Sequence, residues 1–241
     1  MKKTVRRLGL LLALVGICVG YALPLLQERT EAVEGEALEL SALTVVLDAG
    51  HGGEDGGAVS ASGLQEKTVN LDLVLRIAAL LEESGVKVCL TRDRDILLYD
   101  RSTDYRGRKK ALDLQTRRQI AERTPNAVFV SIHMNAFLQT KYKGLQVWYS
   151  PNDARSAVLA DRIQAMVRER LQPDNTRKTK SAGSNIYLLH HLTVPAVLVE
   201  CGFLSNPDEA AMLAQEGYRQ ELAQMIFLGI TQGLRDMTGG T

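Results

Sequence analysis

Two histidines and two glutamates carry the chemistry this chain is best equipped for: His51, Glu66, His133 and Glu200. Three of them flank short apolar runs that read as buried strands. His51 follows Thr44-Val45-Val46-Leu47-Asp48, His133 follows Ala127-Val128-Phe129-Val130-Ser131-Ile132, and Glu200 ends Ala196-Val197-Leu198-Val199. Glu66 stands just before a long amphipathic run. In an open α/β sheet, ligands bind outside the carboxyl ends of the strands, so residues far apart in sequence can meet at one edge. Two imidazoles and a carboxylate form a plausible zinc set with one position left for water, and a second carboxylate can serve as general base.

The glycines around His51 (Gly50, Gly52, Gly53, Gly56 and Gly57) permit a tight turn and close approach of a substrate to the backbone. A phosphate cradle is disfavoured, because the P-loop lysine is absent and Gly50-His51-Gly52-Gly53 does not fit the dinucleotide fingerprint. A lone histidine after a strand is ordinarily structural. Two of them, each at a strand end, favour a site, but spacing alone leaves the zinc reading open.

The elements that must position these residues alternate. A helix is expected over Thr68–Leu81, with Val69, Leu73, Ile77 and Leu80 on one face and Gly85 as its stop. Further strands are expected at Val86–Leu90, Ala127–Ile132, Gly144–Tyr149 and Ala196–Glu200. Further helices are expected over Asp113–Glu122 and Ala154–Leu171, with one or two over Asp208–Leu234. This alternation predicts an α/β fold, a three-layer sandwich with a mainly parallel central sheet and helices on both faces.

A hydrophobic fraction of 45% and a charged fraction of 24% allow a sizeable core in one domain. The overall charge of +1 conceals an asymmetry. Lys2, Lys3, Arg6 and Arg7 precede an uncharged stretch from Leu8 to Leu26, and without those four the chain is net acidic. That order predicts an N-terminal membrane helix over 1–26, either a signal peptide or an uncleaved anchor with its basic end in the cytoplasm. An acidic linker over 27–42 and a catalytic domain over 43–241 follow. The catalytic domain is therefore expected outside the cytoplasm, and no nucleic-acid partner is expected. Cys89 and Cys201 read as buried small hydrophobes rather than a disulfide pair. The basic run around 99–110 reads as a solvated loop.

Four blocks occur in a telling order: Leu47-Asp48-Ala49-Gly50-His51-Gly52-Gly53; Glu66-Lys67 with Asn70-Leu71; Ser131-Ile132-His133-Met134-Asn135-Ala136; and Pro195 to Asn206 around Glu200. Together they resemble the zinc-dependent N-acetylmuramoyl-L-alanine amidases of the family-3 type, over roughly residues 43 to 235. Lys180 to Asn185 add a likeness to the sporulation members that act on spore cortex. The resemblance implies one zinc ion held by His51, Glu66 and His133, with Glu200 as the catalytic glutamate. It implies peptidoglycan as substrate, and hydrolysis of the amide between the lactyl group of N-acetylmuramic acid and L-alanine. Glu200 would take a proton from the attacking water and hand it to the departing nitrogen. Expected partners are peptidoglycan, the cytoplasmic membrane through the N-terminal segment, and an unidentified protein activator. The expected location is the outer face of that membrane or the wall or cortex space. Ala49 stands where the family usually has proline, which should loosen the turn, and Glu122 where asparagine is common.

Other polar residues carry competing readings. His190 and His191 are expected in an extended segment, one packed and one facing solvent. Asp48 would accept a hydrogen bond from a ligand imidazole or cap the turn. Asn70 and Asn135 would orient ligands or bond locally. Glu54 and Asp55 read as solvated loop, and Trp148 and Tyr149 as core. The rival functions are a membrane-tethered wall-binding scaffold without activity and another zinc hydrolase of wall material.

Overall fold

The computed structural model describes residues 42–99, 102 and 107–239. The expected membrane segment 1–26, nearly all of the acidic stretch 27–42 and much of the basic run lie outside the described residues. Among the described residues no helix is long and apolar enough to cross a membrane.

The strands are β1 (Thr44–Ala49), β2 (Lys87–Leu90), β3 (Ala127–Asn135), β4 (Gln146–Tyr149), β5 (Lys180–Ser181) and β6 (Ala196–Phe203). The helices are α1 (Glu66–Glu83), α2 (Lys109–Arg123), α3 (Arg155–Arg170), α4 (Tyr187–His191), α5 (Pro207–Ala214) and α6 (Glu216–Thr238). One mixed sheet has the order β2-β1-β3-β6-β4-β5. β2, β1, β3 and β6 run parallel, β4 runs antiparallel to β6, and β5 runs parallel to β4. The chain leaves β1 towards β2 and returns on the other side as β3. The β1/β3 boundary is thus a topological switch point, where open α/β sheets place their ligands.

Side chains alternate across each strand, so the sheet divides its apolar residues between two cores. Val45, Leu47, Val128, Val130, Val197 and Val199 pack against α1, α3 and α6. Val46, Phe129, Ala196 and Leu198 pack against α2 and α4. Both faces being covered explains why these strands read as nearly unbroken apolar runs.

Helix α1 starts two residues earlier than its periodicity suggests, which brings Glu66 into its first turn. There the acid meets the positive end of the helix dipole. At the other end Gly85 donates to Glu82 O and Val86 to Leu81 O, at 3.0 Å each, satisfying carbonyls the helix leaves over. Leu81 rather than Leu80 is fully buried. Positions three and four after Ile77 both lie near the apolar stripe, and packing selects the second. β6 continues past Glu200 through Phe203, because Cys201 and Phe203 are themselves buried.

Candidate metal centre

The loop after β1 is shaped by the backbone it borders. Gly50 N donates to Ile132 O at 3.1 Å, extending the β1/β3 pairing by one residue. His51 then adopts φ 61°, a left-handed conformation uncommon for a side-chain-bearing residue. Gly52 and Asp55 exchange backbone hydrogen bonds of 2.9 and 3.0 Å, which curls the loop back on His51. Two arginines hold this turn from beneath. Arg117, fully buried on α2, donates to Ala49 O at 2.7 Å and His51 O at 2.7 Å. Arg92 donates to Ala49 O at 2.8 Å and Gly50 O at 2.9 Å.

Glu66 is gripped from several sides. Its Oε2 accepts from Ala58 N at 2.8 Å, and its Oε1 accepts from Met134 N at 3.0 Å. Asn70, one turn along α1, donates to Gly50 O at 3.2 Å and to Glu66 Oε1 at 3.4 Å. Asn70 thus orients the carboxylate, one of its two expected roles. Glu66 Oε1 lies 3.2 Å from His51 Nε2 and 2.9 Å from His133 Nδ1. Burial would raise the Glu66 carboxyl, but its bonds to His133 and His51 prevail and hold it well below the usual carboxylate range. It is a fixed anion.

One donor atom from each of His51, Glu66 and His133 lies within 4.8 Å of the others. A tetrahedral ion with bonds of about 2.0–2.1 Å needs donors about 3.3 Å apart, so the spacing suits zinc. Two glycines make the convergence possible. A Cβ on Gly50 would stand 2.3 Å from the His133 ring, and one on Gly57 2.5 Å from Glu66 Oε2.

Glu200 completes the set. On β6 it is the cross-strand neighbour of His133 on one side and of Gln146 on the other. Its Oε2 is buried and has no hydrogen-bond partner. Burial, with Glu66 adding like charge and His133 and His51 opposing, pushes its pKa up to about 7. An unpartnered carboxylate oxygen with a pKa near neutrality, beside three potential metal donors, is suited to moving protons.

Several neighbours differ from their sequence expectations. Asp48 touches no imidazole. Strand alternation puts it on the α2 face, where it accepts from Thr91 at 2.7 Å, Ser131 at 2.6 Å and Arg117 at 2.6 Å. Asp55 is not free loop, because the curled turn brings its Oδ2 to 2.9 Å from His51 Nδ1, an ion-pair distance without full hydrogen-bond alignment. It braces the nitrogen opposite the one facing Glu66. Glu54 pairs with Lys109 at 2.7 Å. His190 and His191 sit on the short helix α4 rather than in an extended segment, and both are exposed. Trp148 is partly buried in the α2/α4 core, and Tyr149 packs against the opposite one. Cys89 and Cys201 are unpaired. Arg117 and Arg92 escaped sequence reasoning, because both stand in charged local sequence, Arg117-Arg118 and Arg92-Asp93-Arg94-Asp95, that reads as surface.

Comparison with known proteins follows the same lines. The family model described as N-acetylmuramoyl-L-alanine amidase matches residues 45–232. The chain belongs to this family. It is 39% identical to the germination-specific N-acetylmuramoyl-L-alanine amidase of Bacillus subtilis (strain 168), covering 80% of this chain and 81% of that one. Among solved structures it resembles the CwlD amidase of Clostridioides difficile in complex with the GerS lipoprotein. That match has a TM-score of 0.75 and 39% identity over 80% of this chain and 98% of the other. It also resembles the amidase AmiC2 of Nostoc punctiforme, with a TM-score of 0.67 and 34% identity over 79% and 96%. In this amidase, Ala49 in place of the family's usual proline does not leave the turn loose, because its carbonyl is clasped by both arginines. Glu122 is engaged by Arg118 at 2.8 Å and lies on the far part of α2.

Proposed function

We propose that this N-acetylmuramoyl-L-alanine amidase is a zinc enzyme in which His51, Glu66 and His133 hold the ion and Glu200 transfers the proton. When bound, zinc supplies Lewis acidity, acidifying a water and polarising the carbonyl under attack. The residues divide the remaining work. Glu66, fixed by two backbone N–H groups and Asn70, presents a permanent negative charge. Asp55 and the arginine-held turn keep His51 in its strained conformation. Glu200 accepts a proton from the attacking water and returns it to the L-alanine nitrogen as the bond to the lactyl carbonyl breaks. Burial raises the Glu200 carboxyl above the ordinary glutamate range in the metal-free site, which favours its taking up a proton and giving it back. The observation that carries this reading is the convergence of three donor atoms beside an unpartnered buried carboxylate oxygen.

The likeness to a germination-specific amidase supports spore cortex as the peptidoglycan concerned, and with it action outside the cytoplasm by way of the N-terminal segment. The similar Clostridioides difficile amidase was solved with a lipoprotein, which supports a protein partner for this chain too.

The test is direct. Full-length protein loaded with zinc is incubated with peptidoglycan, and both new alanine amino termini and new reducing sugars are measured. Amino termini without reducing sugars are expected. An intact wall from a sample holding one zinc per chain would instead indicate a wall-binding scaffold.

A further inference from the structure

One cation packed against β4 and β6 has hydrogen-bonding capacity left over. Arg177 lies in the segment between α3 and β5. Its Nε donates to Lys143 O at 2.8 Å and its Nη1 to Gln146 Oε1 at 2.9 Å. Its backbone N donates to Asn175 Oδ1 at 3.0 Å. The guanidinium carbon stands 4.5 Å from the centroid of the Phe203 ring, and that ring is fully buried. These contacts fix the plane of the guanidinium. They leave Nη2 without a hydrogen-bond partner among the described residues. Bracing a loop needs only the two nitrogens already used, whereas a planar fork with a spare nitrogen suits carboxylate recognition.

Its placement ties it to the reaction. Gln146, which it grips, is the cross-strand neighbour of Glu200. Glu209 does not absorb the charge of Arg177 by pairing with it, because its oxygens accept from Gly144 N at 2.8 Å and Phe203 N at 2.7 Å. A cavity of about 450 Å³ opens against Arg177, bounded also by Tyr142, Lys143 and Asn206. Lys141 stands beside Tyr142, its Nζ 5.6 Å from the ring centroid, and adds positive charge to the same rim.

We infer that Arg177 is a specificity-determining residue that receives a carboxylate of the stem peptide, on the leaving side of the scissile amide. This rests on the amidase reading above, because only the peptide side of that bond carries such carboxylates in series. A lysine would supply the charge but neither the stacking on Phe203 nor the two bonds that hold the plane.

The experiment compares two soluble glycan fragments whose stems differ only in the residue after L-alanine, an acid with a free carboxylate or the same residue as its amide. Zinc-loaded full-length wild type is expected to prefer the acid by roughly 10–100-fold in kcat/KM, mostly through KM, as a charge-assisted hydrogen bond would give. Arg177→Gln should erase the preference and Arg177→Lys should keep part of it, each with wild-type zinc content and a cooperative unfolding transition. A preference that survives in Arg177→Gln overturns the proposal. So does an equal loss on both substrates, which would mean that Arg177 acts through Glu200. Wild type inert on both fragments and on whole peptidoglycan would remove the amidase reading itself, an outcome distinct from either.

Discussion

Glu200 occupies a place where a carboxylate is costly. Its Oε2 is buried without a partner and its pKa sits near 7, against an ordinary glutamate value near 4.5. A carboxyl raised in the folded state stabilises the fold below its unfolded pKa and loses that contribution as pH rises through the folded one. Between about pH 4.5 and 7 the metal-free protein should therefore lose up to about 3 kcal/mol from this group. Glu200→Gln removes the ionisation. Chelated variant and chelated wild type should have similar denaturant midpoints at pH 5, and the variant should be the more stable at pH 8. Reloaded with zinc, the variant should bind the ion yet turn over about 10²–10⁴-fold more slowly. Equal stability at both pH values would place the carboxyl in contact with water, and retained turnover would remove it as the base. The four chemical residues were legible because each interrupts or borders an apolar run. The role of Asp55 was not, because it depends on a four-residue curl that returns the chain to His51.

At the scale of elements, the strand–helix alternation was readable because both sheet faces are covered and each strand is apolar throughout. What joins the elements was harder to read. Arg117 and Asp48 are fully buried and lie 69 residues apart in sequence, and no local pattern pairs them. Together they lock α2 to the end of β1, and through the His51 carbonyl to the metal loop. Removing one member of a buried ion pair leaves the other charged without compensation, at about 3–5 kcal/mol. Arg117→Ala should lose that much stability in urea and weaken zinc binding measured by competition with a chromophoric chelator. Arg117 also pairs with the buried Asp113 at 2.7 Å, so combining Arg117→Met with Asp48→Asn and Asp113→Asn should recover much of the stability, since neither carboxylate partner is left charged. It should recover less of the zinc affinity, since the His51 carbonyl is still released. If both properties recover together, the loop is held by something other than Arg117.

For the whole molecule, the candidate metal centre lies at the carboxyl ends of the central strands, in a body that does not depend on it for its core. Two apolar clusters cover the two faces of the sheet, and neither includes a metal donor. The donors are positioned by backbone: Glu66 by Ala58 and Met134, His51 by its carbonyl, and His133 by the β3/β6 pairing. Chelation should therefore abolish turnover while leaving the far-ultraviolet circular dichroism and the cooperativity of unfolding intact, unlike a zinc finger, which unfolds without its ion. The coupling should be of ordinary ligand size. Zinc at a hundred times its dissociation constant adds about 2.7 kcal/mol, and for a domain of this size that is a rise of roughly 5–11 °C in melting temperature. A chelated protein that loses its helical signal would mean that the ion organises these strand ends rather than binding to ends already formed. The donor spacing would then be a product of metal binding, and the preorganisation assigned to Gly50, Gly57 and the two arginines would have to be abandoned.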